Sequence, residues 1–187
     1  MIDAPALPRP QFVRAADRPL TPGSAGKADA AELEAFGKAL QREAPVLLAA
    51  ARAIMLDDAE AEDLVQATFE LALRHRVSLR EPAALRGWLL TIQTREAFRL
   101  VRRLRRFVRF GAAVTEIAAP AEYNPDSVAV RDALRSLSPR VRAAVVLHHM
   151  AGLPVAEVAA ALGVSANTVK TQLKVGLARL REALDDE

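Results

Sequence analysis

Apolar residues, most of them alanine and leucine, recur at intervals of three and four positions through most of this sequence. That spacing places them along one side of an α-helix, whereas a half-buried strand would need strict alternation. The chain is 51% hydrophobic but only 4% aromatic, and it has 8 glycines in 187 residues. Since alanine, leucine and arginine are strong helix formers, the sequence predicts an all-α protein and argues against a β-sandwich or barrel.

Prolines and capping residues divide this helical pattern. Pro45, Pro82 and Pro139 suit first turns of helices, where the missing N–H donor would be unpaired anyway, and Asp58 suits a cap. The helical spacing of apolar residues is absent from two stretches. One is the proline-rich N-terminal stretch, and the other is a later stretch that contains glycine and Asn124-Pro125. We therefore predict a disordered tail over 1–28, a helical domain over 29–110, a flexible linker over 111–125 and a second helical domain over 126–187.

The second domain contains the sharpest local pattern. A short amphipathic segment from Pro154 to Leu162 is followed by Gly163, which can take the positive φ that ends a helix. Ser165 then suits the N-cap of another helix that begins at Ala166. The pattern is that of a helix-turn-helix, whose second helix enters the major groove of DNA. A plain helical hairpin with a polar outer face is the alternative.

The outer face of that second helix carries hydrogen-bond donors, and no carboxylate occurs between positions 167 and 181. Such side chains can contact base edges or phosphates. The candidate DNA-binding residues of this helix are Asn167, Thr168, Lys170, Thr171, Gln172 and Lys174.

Arginines are concentrated near the end of the first domain, where seven lie between positions 95 and 109 against a single carboxylate, Glu96. So many positive charges close together repel one another unless an anion is bound, and a phosphate backbone is the natural partner. A solvated, cation-rich helix end is the alternative. The candidate residues are Arg95, Arg99, Arg102, Arg103 and Arg106.

An acidic segment has the opposite charge. Positions 53–73 contain six carboxylates and no lysine or arginine. Asp63, Gln66 and Glu70 lie three and four positions apart and so share one helical face. From spacing alone, a solvated face is favoured over a basic protein partner. A metal site is disfavoured because hard-cation sites need converging oxygens, usually on a glycine-containing loop.

Several classes of function have no candidate residues. The chain has no cysteine, no Ser-His-Asp order and no glycine-rich phosphate loop, so we expect no enzyme activity, cofactor or metal. His148 and His149 are adjacent and cannot chelate one metal as an i, i+4 pair would, and Trp88 suits the core. No apolar run reaches the length of a membrane span, so we expect a soluble cytoplasmic protein without membrane insertion.

Taken together, these motifs resemble the extracytoplasmic-function (ECF) group of sigma-70 factors, bacterial RNA polymerase subunits. The resemblance covers about residues 30–184. It rests on the segments DAEAEDLVQATF at 58–69, LRGWL at 85–89, LSPR at 137–140, GLPVAEVAAALGVSANTVK at 152–170 and LARLR at 177–181.

The resemblance implies a function for each of the two helical domains. The first domain would be sigma domain two, whose acidic helix docks on the β′ clamp helices of core polymerase, while its basic helix binds the minus-ten element. The second would be sigma domain four, which reads the minus-thirty-five element of promoter DNA and touches the β flap. The polymerase-binding residues it implies are Asp58, Glu62, Asp63, Gln66 and Glu70.

The implied protein is a monomeric initiation factor for a stress or signal regulon, controlled by an anti-sigma factor. The family commonly has Asn and Asp where Arg95 and Arg99 stand, so this basic helix is expected to favour phosphates over bases. A stand-alone helix-turn-helix regulator, with a dimerisation or sensor domain in front, is the alternative function.

Overall fold

The computed structural model describes residues 25–109 and 125–185, with side chains over 30–102 and 129–185. These residues form helices and no β-strand, which confirms the all-α prediction. The helices are α1 (Ala25–Met55), α2 (Asp58–His75), α3 (Leu85–Arg109), α4 (Pro125–Ser136), α5 (Pro139–Val145), α6 (Val155–Leu162) and α7 (Ala166–Asp185), with 3₁₀ turns at Arg76–Ser78 and Pro82–Ala84 and a π-helix at Val146–Met150.

The chain divides into two compact units between Lys38 and Ala39. In the first unit the described residues are the start of α1, where Lys38 Nζ donates to Glu34 Oε1 at 2.6 Å. The second unit, residues 39–187, contains the rest of α1 and all the other helices. Most of the predicted tail and linker, at 1–24 and 110–124, lies outside the described residues.

Two predicted helix starts are wrong. Pro45 lies inside α1, which is one helix of 31 residues instead of two. Because Pro45 is exposed while Leu40 and Leu47 on either side of it are buried, packing of the flanking turns outweighs the lost backbone hydrogen bond. The cap of α2 is Asp57, whose Oδ1 accepts from the backbone N–H of Glu60 at 2.9 Å, and Asp58 is already helical.

The helices α1 to α3 enclose a core of leucines. Leu47, Leu64 and Leu89 have at most 1% of their surface exposed, and α2 packs along α3. Gln93 is also fully buried, and its Nε2 donates to the carbonyl oxygen of Leu47 at 3.0 Å. This bond fixes α3 against α1, and so fixes the direction in which the arginines of α3 point.

The helices α5, α6 and α7 form the predicted helix-turn-helix and its support. Gly163 has φ 66°, the left-handed conformation expected for a helix C-terminus. Val158 and Val169 are fully buried where α6 and α7 cross. Gly176 lies where α7 approaches α5 closely, since a Cβ there would lie 2.5 Å from Val145 Cγ2.

Candidate nucleic-acid interface and acidic surface

The outer face of α7 is open at its N-terminal end. Asn167, Lys170 and Lys174 are exposed. Ser165 caps the helix as predicted, because its Oγ accepts from the backbone N–H of Thr168 at 3.1 Å. Thr171 is exposed but its Oγ1 donates to the carbonyl oxygen of Asn167 at 3.1 Å. Two lysines one turn apart, with hydroxyl and amide groups beside them, make a surface suited to DNA.

Gln172 differs from the other candidates on this helix. Its side chain is half-buried, and its Oε1 is enclosed without a hydrogen-bond partner among the described residues. The amide therefore lies at the edge of the exposed face, partly turned toward the protein. Sequence spacing placed it outside because a helical face has no sharp border at the sequence level.

The acidic surface on α2 divides the five predicted residues into two sets. Asp63, Gln66 and Glu70 are exposed on one stripe, opposite the buried face of the helix. Glu70 has a loose exposed pair with Arg74 at 3.9 Å. A stripe of this kind, which carries two carboxylates beside an amide, suits a basic protein surface.

Asp58 and Glu62 instead face arginines of the same chain. Asp58 Oδ1 lies 3.2 Å from Arg52 Nε and 3.2 Å from Arg131 Nη2, and only 26% of its side chain is exposed. Glu62 Oε1 lies 3.7 Å from Arg52 Nη2. The contact with Arg131 joins α2 to α4, across 73 positions of sequence (131 − 58). No local sequence signal could have indicated this pair.

The basic helix α3 presents its arginines in several ways. Arg99 is exposed, and its Nη2 lies 2.7 Å from Glu96 Oε2. Arg102 is exposed, and its Nε donates to the carbonyl oxygen of Phe98 at 3.1 Å. Arg95 is half-buried. The side chains of the other two candidates, Arg103 and Arg106, lie outside the described residues although the helix itself includes both positions.

A cleft of about 480 Å³ lies between the second half of α3 and the helix-turn-helix, beside the contact of α3 with α6. The guanidinium carbon of Arg140 lies 5.9 Å from the centroid of the Phe98 ring across it, a cation–π distance. None of the residues lining it is acidic. The lining residues are Arg95, Phe98, Val101 and Arg102 on α3, and Ser138, Pro139, Arg140, Ala161, Leu162 and Gly163 on the other wall.

The two histidines and the tryptophan considered in the sequence analysis differ in their exposure. The Nδ1 of half-buried His148 lies 2.7 Å from the carbonyl oxygen of Leu153, while His149 is exposed. Trp88 is half-buried. Within 25–109 and 125–185, no group of three or more acidic, histidine or cysteine side chains could hold a metal ion. No helix of that part of the chain is long and apolar enough to cross a membrane.

Comparison with known families gives two matches that together span most of the described helices. Residues 39–107 match the sequence model of Sigma-70 region 2, and residues 127–180 match that of Sigma-70, region 4. The first match contains the acidic stripe of α2 and most of α3. The second contains the helix-turn-helix up to Leu180.

Similar proteins agree with these matches. The chain is 30% identical over 155 residues to the RNA polymerase sigma-E factor of Streptomyces coelicolor. This alignment covers 82% of this chain and 88% of that protein. It is 30% identical over 167 residues to the ECF RNA polymerase sigma factor SigL of Mycobacterium tuberculosis, with 85% and 94% covered. Among solved structures it resembles the sigma factor RpoE of Bartonella quintana, crystallised with the anti-sigma factor NepR, with TM-score 0.73, 30% identity, and 81% and 98% covered.

Proposed function

This chain belongs to the sigma-70 family of RNA polymerase sigma factors, in its ECF group, and we propose that it directs core polymerase to a bipartite promoter without performing catalysis itself. One observation carries this function. A region 2 and a region 4 occur in one chain, and each supplies an exposed surface with the charge its partner requires. A region 2 in the first half also favours a sigma factor over a stand-alone regulator with a sensor domain.

Core polymerase is proposed to bind the stripe of α2. Asp63, Gln66 and Glu70 are exposed and point in one direction, so a basic surface such as the β′ clamp helices could engage all three. Asp58 and Glu62 lie at the edge of the stripe and already face Arg52. We assign them a supporting part in the same interface.

Promoter DNA is proposed to meet the chain at two places. The face of α7 with Asn167, Lys170 and Lys174 would enter the major groove of the minus-thirty-five element, while Gln172 reads bases only from the edge of that face. The arginines of α3 would bind the minus-ten element mainly through phosphates. Domain four, over 126–187, would also contact the β flap.

Control by an anti-sigma factor is part of the proposal. The similar structure from Bartonella quintana is of a sigma factor bound to the anti-sigma factor NepR. A protein that covers the acidic stripe or α7 would stop initiation by blocking one of the two partners. Because core polymerase and promoter DNA are the working partners, the protein would act in the cytoplasm, as a monomer on each polymerase.

Reconstituted transcription tests this function. Core polymerase with and without the purified chain would transcribe fragmented genomic DNA of the source organism, and the RNA 5′ ends would be mapped by sequencing. We expect new 5′ ends that share sequence elements near minus ten and minus thirty-five. The Asp63→Lys variant should lose these ends, while Glu34→Lys, an equal charge change at an exposed carboxylate outside region 2, should keep them. An unchanged set of 5′ ends would refute the function.

A further inference from the structure

Three arginines and no carboxylate are among the residues that line the cleft beside the helix-turn-helix. Arg95 and Arg102 are seven positions apart on α3, so they lie on one face of that helix, ~10.5 Å apart along its axis. Arg140 lies on the opposite wall. The one carboxylate in the sequence of α3 is Glu96, which lies 2.7 Å from Arg99. Three positive charges around one partly enclosed space repel one another, and a bound anion would relieve that repulsion.

The wall of the cleft is otherwise mostly apolar and contains one aromatic ring. Phe98 lies on α3 between the two arginines in sequence, and Pro139 and Leu162 lie on the opposite wall. The guanidinium carbon of Arg140 is 5.9 Å from the centroid of the Phe98 ring. A planar ring placed between them needs ~3.5 Å on each side, or ~7 Å in all. Since Arg140 is exposed, it can withdraw by ~1 Å and stack its planar guanidinium on that ring.

The size of the cleft favours a small molecule over duplex DNA. Its volume of about 480 Å³ falls in the range of ~300–1,000 Å³ that holds small ligands in proteins. A cube of that volume is about 8 Å on edge, whereas the major groove of B-DNA is ~12 Å wide by itself. The duplex therefore cannot fill the cleft. A ligand that matches both walls carries a planar aromatic ring and several negative charges.

We propose that this cleft binds a nucleoside polyphosphate. The base would stack between Phe98 and Arg140, and the phosphates would be bound by Arg95 and Arg102. A guanidinium has five N–H donors in a planar fork that matches phosphate oxygens. Arg102 uses only its Nε to reach the carbonyl oxygen of Phe98, so its other donors can bind the ligand. Ser138 caps α5 without a side-chain hydrogen bond, so its hydroxyl can donate to the ligand as well.

A nucleotide in the cleft would compete with promoter DNA, and this consequence rests on the proposed function. Arg95 and Arg102 are among the arginines of α3 proposed to bind the minus-ten element. A guanidinium that binds a nucleotide phosphate is not available to a DNA phosphate, so each ligand weakens binding of the other by the same factor. Arg140 lines the cleft but belongs to neither proposed DNA surface. Its substitution therefore separates the nucleotide site from the sigma function.

Isothermal titration calorimetry on the full chain tests the site. At ~0.15 M salt the Debye length is ~8 Å, which suppresses non-specific attraction between exposed charges. ADP should bind at a single site, and adenosine or pyrophosphate should bind at least about tenfold more weakly, because each lacks one set of contacts. Phe98→Leu should weaken ADP binding by about tenfold through lost stacking, and Arg140→Ala by about fivefold.

Arg135→Ala is the matched control, since Arg135 is an exposed arginine that pairs with Asp132 at 2.6 Å and does not line the cleft. It should bind ADP as the parent does, and circular dichroism should show that all three variants remain folded. Equal affinities for ADP and pyrophosphate, or an unchanged affinity in Arg140→Ala, would overturn the nucleotide site and leave the sigma function intact. A single-stranded oligonucleotide that binds more tightly than ADP, with the same dependence on Phe98 and Arg140, would assign the cleft to an unpaired strand instead.

Promoter binding supplies the second arm of the experiment. The chain would be incubated with ADP, which polymerase does not incorporate, before core polymerase and a labelled promoter from the transcription assay are added. ADP should weaken promoter binding by the parent and have less effect on Arg140→Ala. ADP binding without any effect on promoter binding would overturn the competition. ADP binding by a chain that gives no promoter-dependent RNA would count against the proposed function and not against the site.

Discussion

The contact of α7 with α5 predicts that Gly176→Ala destabilises the helix-turn-helix half. A Cβ at position 176 would lie 2.5 Å from Val145 Cγ2 and 3.1 Å from Val141 Cγ1. Optimal carbon–carbon separations are about 3.5–4.0 Å, so the nearer contact is about 1 Å too short. Both neighbours are valines, whose side chains have one strongly preferred rotamer in a helix and cannot swing away. Relief requires α7 to move away from α5.

The expected cost combines two opposing effects. Overpacking of a dense core costs about 1–3 kcal/mol, and two stiff neighbours put this site near the upper end. Alanine recovers about 1 kcal/mol because it favours the helix over glycine. The net loss of unfolding free energy is then about 2 kcal/mol, which lowers Tm by about 4–8 °C in a chain of this size.

Gly37→Ala is the matched control. Gly37 lies within α1, and a Cβ there meets no described atom within 4 Å. The same substitution should therefore stabilise by about 0.5–1 kcal/mol through helix propensity alone. Thermal and urea unfolding followed by circular dichroism would measure both variants. If Gly176→Ala raises Tm as Gly37→Ala does, α7 does not approach α5 as closely as described, and the reasoning fails.

Two further predictions concern the proposed interfaces, and a third concerns the cap of α7. Asp63→Lys should weaken binding to core polymerase by about tenfold, since a rim carboxylate becomes a like charge, while duplex binding in fluorescence anisotropy stays unchanged; equal losses would contradict the division of surfaces. Lys170→Ala should weaken minus-thirty-five binding and reduce the slope of log K against log salt by about 1, as expected for one phosphate contact; an unchanged slope would remove Lys170 from the interface. Ser165→Ala should cost about 1 kcal/mol in urea unfolding because α7 loses its cap, and Ser165→Asp should retain most of the stability; similar losses in both variants would contradict a capping role.

Local features of this protein could be predicted from the sequence alone. The turn at Gly163 and the cap at Ser165 depend on the φ preference and side-chain hydrogen bonding of one or two residues. The stripe of Asp63, Gln66 and Glu70 depends only on helical periodicity, and so does the exposed face of α7. These properties arise within a few turns of helix, where neighbours in sequence are also neighbours in space.

Only the tertiary structure determined the rest. Pro45 lies inside a continuous helix because the buried leucines on either side of it hold the turns together. Asp58 pairs with Arg131, and Gly176 meets Val145, across distances in sequence that no periodicity relates. Such contacts depend on how packed helices bring distant residues together. The burial of each side chain then determines how strongly solvent screens its charge. The charge of each surface can therefore be predicted from the sequence, whereas tertiary packing determines which charged side chains are covered and which are exposed.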